Sequence, residues 1–165
     1  MSQSEHLVIR PALQSDCADI LNFIKALAEY EKLLHEVVAT TAKLEETLFG
    51  DQSMAEVLIA EWDGQAAGFA LFFHNYSTFL AQPGIYLEDL FVHPQYRGKS
   101  IGKKLLGSLA RLAVKRGCGR LDWSVLDWNE PAIRFYKSIG AEAMDGWTQN
   151  RLSGKTLESV ANSLG

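Results

Sequence analysis

Apolar residues recur along this chain with a period that changes several times, and each change marks an element. Leu7-Val8-Ile9-Arg10 is a short apolar run stopped by Pro11, the pattern of an edge or first strand. Ile20, Ile24, Leu27 and Ala28 then recur at the spacing of one buried helical face, with Ser15 or Asp16 as cap and an end near Tyr30. A shorter helix is predicted over Thr41 to Phe49, ended by Gly50. Val57 to Trp62 and Gly68 to Phe73 are β-rich runs flanking Asp63-Gly64, a dipeptide that supplies the positive φ angles of a tight hairpin.

Asn75 to Gly84 mixes aromatic and polar residues and reads as a loop; Ile85 to Val92 follows as a central strand, interrupted by Glu88 and Asp89. After a basic, glycine-containing turn, Leu105, Leu106, Leu109, Leu112 and Ala113 form the apolar side of a helix from about Ile101 to Lys115, ended by Gly117 and Gly119. The pattern closes with a strand over Leu121 to Leu126, a turn over Asp127 to Pro131, and a helix over Ala132 to Ile139 stopped by Gly140. A last strand is predicted over Ala141 to Trp147, and the spacing of Leu157, Val160, Ala161 and Leu164 predicts a docked terminal helix. The order β-α-α-β-β-β-α-β-α-β is a mixed α/β layout with no repeat or linker to divide it, so residues 1–165 are expected to form one domain.

Composition narrows the function classes. The chain has 165 residues, 47% hydrophobic and 22% charged, the balance of a globular domain able to bury a core. The start, Met1 to His6, lacks the basic and apolar regions of a secretory leader, and no apolar run is long enough to span a bilayer, so a cytoplasmic protein without membrane partners is expected. A net charge of −4 argues against a nucleic-acid partner and favours cationic ligands. Cys17 and Cys118 have no motif spacing and read as core thiols; His6, His35, His74 and His93 are scattered, so no metal role is assigned.

Gln95-Tyr96-Arg97-Gly98-Lys99-Ser100-Ile101-Gly102 lies between a strand and a helix N-terminus, where free N–H groups and the helix dipole favour an anion. Gly98 and Gly102 permit close approach to a pyrophosphate, while Arg97, Lys99 and Lys103 add positive charge. By itself the segment serves equally as a solvated basic turn. It is not a P-loop, because the first glycine of that motif would fall at His93.

The series Leu87-Glu88-Asp89-Leu90-Phe91-Val92, Gln95 to Gly102, Trp128-Asn129-Glu130-Pro131-Ala132-Ile133-Arg134-Phe135-Tyr136 and Gly140-Ala141 resembles the GNAT acetyltransferases over nearly the whole chain. Within them, Val8-Ile9-Arg10-Pro11-Ala12 and Leu27-Ala28-Glu29-Tyr30-Glu31 resemble the spermidine/spermine and thialysine N-acetyltransferase branch. One departure is Ser100, which stands where the family signature has Gly or Ala.

The resemblance implies an acyl-coenzyme A N-acyltransferase fold, with a mixed, mostly antiparallel central sheet flanked by helices. It also implies acetyl-coenzyme A as cosubstrate, direct attack by a small primary amine in a ternary complex, and a homodimer. Tyr136 would be the acid that protonates the departing thiolate, and Glu88 the base, acting through water, with Asp89 structural or orienting a neighbour. The backbone of Leu90, Phe91 and Val92, the Gln95 to Lys103 loop, and Asn129, Ala132 and Tyr136 would hold the coenzyme. Tyr30, Glu31 and Glu88 would meet the amine.

Without the family each residue has a plainer reading: Tyr136 as a core aromatic, Glu88 as a paired carboxylate, Asn129 as a helix cap, Tyr30 and Glu31 as a frayed helix end. A coenzyme-binding module without catalysis and a protein N-acetyltransferase are the competing functions. Polyamine-specific relatives carry Tyr-Asp-Pro-Trp where this chain has Tyr76-Ser77-Thr78-Phe79, so one anionic anchor is missing and short diamines or lysine-like amines are the expected substrates.

Overall fold

The computed structural model of the chain describes residues 6–164; of the start Met1 to His6, on which the expectation about a secretory leader rests, all but His6 lies outside them. Two compact units are formed, the first ending at Ser124 and the second beginning at Val125.

In the first unit a five-stranded sheet runs in the order β1 (Leu7–Pro11), β2 (Glu56–Trp62), β3 (Gln65–Ser77), β4 (Gln82–Val92), β5 (Leu121–Trp123). All neighbours are antiparallel except β4 and β5. Asp63 and Gly64, with φ of 50° and 76°, form the expected tight turn between β2 and β3.

α1 (Cys17–Tyr30) and α2 (Thr41–Phe49) cover one face, where Cys17, Ile20, Phe23 and Leu44 pack with Val57, Ile59, Phe69 and Phe91. No residue of α3 (Ile101–Lys115) belongs to this cluster; its Leu112 shares a cavity lining with Leu58 and Phe72, alternate residues of the sheet. Its Ile101, Leu105, Leu106, Leu109 and Ala113 are buried, while Leu112 is half-buried.

Several expectations are corrected. Asp16 stands at the N-cap of α1 as expected but makes no side-chain capping bond: its carboxylate accepts from Arg10 Nη1 and Nη2 (2.7 and 2.9 Å) and from the Leu13 N–H (2.7 Å), tying β1 to the helix start. That guanidinium holds the Asp16 carboxyl below its usual range. The segment 75–84 is no loop. Asn75, Tyr76 and Ser77 pair with Gly84, Pro83 and Gln82, so β3 and β4 form a long hairpin. Gly84 is there for close approach, since a Cβ would collide with Asn75 Oδ1 and press on Arg120.

β5 stops at Trp123 rather than Leu126. In the second unit, α4 (Glu130–Ser138) starts two residues before the expected Ala132, because Pro131 fits a first helical turn, where its missing N–H costs nothing. Residues 141–147 are irregular with one turn at Asp145 and Gly146 instead of a strand; their large apolar members Met144 and Trp147 are three apart and exposed, a spacing that matches no strand face. α5 (Gly154–Leu164) forms as expected, but none of its residues is buried.

Candidate active site

The two acids inside β4 are explained by a break in its ladder. Asp89 pairs with Leu71 and Leu87 with Phe72, so Glu88 is the extra residue of a β-bulge. Strict alternation would send Glu88 and Asp89 to opposite faces; the bulge instead resets the alternation. Leu87 shares its face with Phe72, whereas Asp89 shares the opposite, α1-facing side with Leu71, Phe69 and Phe91. Glu88 is exposed. The Asp89 carboxyl is pushed up to about 6, first by desolvation and then by the negative charges of Glu88 and Glu31. Sequence reasoning made Asp89 structural; a desolvated acid among like charges is instead a candidate for function. An acid in a predicted central strand was the available signal, and the bulge was the missing one.

Glu31 sits at the end of α1, where burial raises its carboxyl as well. This end is not frayed. The Leu33 N–H reaches the Ala28 carbonyl (2.7 Å) and the Lys32 N–H the Glu29 carbonyl (3.0 Å), with Lys32 left-handed at φ 63°, the bonding of a Schellman cap. Tyr30 is therefore held in place, and the Arg97 guanidinium lies 5.6 Å from its ring centre.

Among the described residues, no strand pairs with β4 on the β5 side beyond Leu87, because the parallel ladder covers only Ile85 to Leu87. Leu90, Phe91 and Val92 thus lie along an open edge. The Phe91 side chain is buried beside Phe23 and does not face this edge.

From this edge the chain passes through a 3₁₀ turn, Pro94–Tyr96, into the loop before α3. Arg97 donates from Nε to the Val92 carbonyl (3.3 Å), and Gln95 is exposed. Gly98 has φ 79° and Ser100 φ 58°, so two left-handed residues bracket Lys99. Among the described residues, no backbone carbonyl accepts from the N–H groups of Gly98 through Lys103; the next, Lys104 N–H, bonds the Ser100 carbonyl. Ser100 does not cap the helix with its side chain, and no acid stands in the first turn.

A Cβ on Gly102 would meet only Val92 Cγ2 at 3.8 Å, and one on Gly98 nothing within 4 Å. Neither glycine is demanded by packing within the protein. The open space, the unbonded N–H groups and the Lys103 and Lys104 side chains fit a diphosphate.

In the second unit Tyr136 and Ala132 are half-buried on α4, and desolvation raises the Tyr136 phenol, which therefore keeps its proton at neutral pH. Asn129 precedes α4 without a side-chain capping bond, which removes its plainer reading as a side-chain cap. Among the described residues no cluster suits a metal ion, and no helix is long and apolar enough to cross a membrane.

Thialysine N-epsilon-acetyltransferase of Mus musculus is 37% identical to the chain, covering 93% of it and 96% of the relative. L-ornithine N5-acetyltransferase of Arabidopsis thaliana is 33% identical over 92% of the chain and 86% of that protein. Among solved structures, integron cassette protein VCH_CASS6 of V. cholerae matches with a TM-score of 0.81 at 29% identity, covering 96% of this chain and 99% of its own. Residues 21–141 match the model of the acetyltransferase (GNAT) family, a stretch that spans β4, the glycine loop and α4. With relatives of this similarity over nearly its full length, the chain belongs to the GNAT acetyltransferase family and is an N-acetyltransferase.

Proposed function

We propose that this enzyme transfers acetyl from acetyl-coenzyme A to the side-chain amine of a lysine- or ornithine-like amino acid, or to a short diamine, in a ternary complex without an acyl-enzyme. The observation that carries the reading is the meeting, on one strand, of an open backbone edge leading to an anion-binding loop and a bulge that turns a desolvated carboxylate toward α1. Curated relatives named for thialysine and ornithine acetylation support the substrate class.

Acetyl-coenzyme A supplies the acetyl group as an activated thioester. The N–H groups of Gly98 through Lys103 hold its diphosphate, and the edge-facing backbone groups of the Leu90 to Val92 stretch receive the arm that carries the thioester. Asp89 and Glu31 hold the ammonium; a cation there offsets the desolvation that raises both carboxyls and the repulsion that adds to it at Asp89. Glu88, exposed on the bulge, takes the amine proton through water. Tyr136 keeps its phenolic proton for the departing thiolate, and Asn129 and Ala132 add coenzyme contacts.

The test is thiol release from acetyl-coenzyme A with thialysine, ornithine, putrescine and spermine. Higher kcat/KM for the first three than for spermine is expected, and a tenfold preference for spermine would overturn the substrate reading. Glu88→Gln should lower kcat chiefly at neutral pH and recover as the amine deprotonates in alkali. Asp89→Asn should raise KM for the amine and remove the acid limb near pH 6. If that limb instead disappears with Glu88→Gln alone, the roles of the two acids are exchanged.

A further inference from the structure

The cations flanking Gly98 are turned away from the N–H groups of their own loop. Arg97 reaches back to the Val92 carbonyl and lies 5.6 Å from the Tyr30 ring centre and 5.9 Å from that of Phe91. Lys99 Nζ sits 4.4 Å from the ring centre of Trp62, the last residue of β2. That indole is itself supported: His6 stacks on it with ring centres 5.4 Å apart and planes 14° from parallel, and His6 Nδ1 bonds the Asp63 carboxylate at 2.6 Å. Trp62 and Lys99 are both half-buried, whereas Lys103 is exposed.

The geometry matters because the loop has few other ties. Among the described residues no backbone carbonyl holds the N–H groups from Gly98 to Lys103, and those groups are the ones the proposed coenzyme site needs. Two left-handed residues, Gly98 and Ser100, bracket Lys99, so the direction of the Lys99 side chain and the splay of the N–H groups are set together. An ammonium over an indole face is an attraction whose strength rises as the pair loses water.

We propose that Trp62 is a positioning residue for the coenzyme-binding loop: its indole, braced by His6 and Asp63, anchors Lys99, so that this lysine shapes the anion seat instead of gripping a phosphate. Phosphate charge is met by the backbone N–H groups and by Lys103 and Lys104. The inference rests on the reading of the loop as a diphosphate site.

A binding cycle with coenzyme A, measured by calorimetry on the full chain, tests it. Trp62→Leu and Lys99→Met should each weaken binding by about fivefold to tenfold, and the double variant no more than the stronger single one. Trp62→Phe, which keeps an aromatic face, should restore binding to within about twofold. At saturating acetyl-coenzyme A, kcat of Trp62→Leu should stay near wild type, a KM-against-kcat split that general destabilisation would not give. Because salt screens charge contacts with a ligand, Lys99→Met should leave the salt dependence of coenzyme A binding unchanged.

Additive losses in the double variant, or a flattened salt dependence in Lys99→Met, would show that Lys99 holds phosphate directly and overturn the proposal. Unchanged affinity in Trp62→Leu would do the same. Should Trp62→Leu fail to fold, the salt dependence of Lys99→Met decides alone. Failure of the wild-type protein to bind coenzyme A overturns the site reading together with this inference.

Discussion

The starts of α3 and α4 show opposite treatments of the same physical problem. Every helix begins with unbonded N–H groups and a partial positive charge. At α4 the problem is solved within the helix: Glu130 places a negative charge in the first turn, pairs with Arg134 at 3.7 Å, and is followed by Pro131, which has no N–H to satisfy. At α3 nothing is solved. Two glycines, a left-handed Ser100 and two lysines gather at the positive end, with no acid in the first turn. Each like charge there costs about 0.3–1 kcal/mol. Asp89 on β4 is under the same kind of strain, being an acid held among acids. Groups left unsatisfied in the free protein are those a charged ligand can satisfy, so the β4–α3 region reads as a seat and the start of α4 as scaffold for side chains.

The largest expected effect sharpens the role of α4. Tyr136→Phe removes only a hydroxyl and should lower turnover by about 10²–10⁴-fold while leaving coenzyme binding intact. Wild-type turnover of the variant across alkaline pH would assign the proton to solvent or another donor.

Next in size is Asp89→Asn. A carboxyl at about 6, above its ordinary 3.8, binds its proton more tightly in the folded state, so stability falls as pH rises from about 4 to about 6 and stays lower above. Removing that charge should stabilise the protein by about 2–3 kcal/mol at pH 7 and by little below pH 4, as read from denaturation midpoints at both values. Equal stability of variant and parent at pH 7 would mean that Asp89 is not under electrostatic strain.

The comparison itself is tested by a mirrored pair. Gly102→Asp gives α3 the acid it lacks. It should raise stability by about 0.3–1 kcal/mol yet weaken coenzyme A binding by about tenfold or more. The smallest effect is that of Glu130→Lys, which should cost α4 about 0.3–1 kcal/mol and leave coenzyme affinity unchanged. If Gly102→Asp binds coenzyme A as well as the parent, the α3 start is not an anion seat.

Local chemistry was readable wherever it was sufficient. Asp63-Gly64 makes its turn through backbone preference alone, and Thr41 to Phe49 and Ile101 to Lys115 have the bounds their apolar spacing predicts. The glycine loop could be named as a candidate because an anion seat on backbone N–H groups needs particular residue types in order, and its N–H groups without backbone partners fit that reading. Reading failed where a partner decided. Segment 75–84 looks like a loop until its two halves pair, and residues 141–147 look like a strand although they join no ladder among the described residues.

The sequence by itself determined the fold class and the family, and it named candidate residues for binding an anion or moving a proton, because periodicity and residue chemistry are local properties. Only the tertiary structure decided which acid is strained. Whether Asp89 faces α1 depends on one unpaired residue in the ladder between β3 and β4, and its carboxyl is shifted by desolvation and by Glu31, far away along the chain. Register and desolvation depend on what lies alongside a strand, and composition does not encode that.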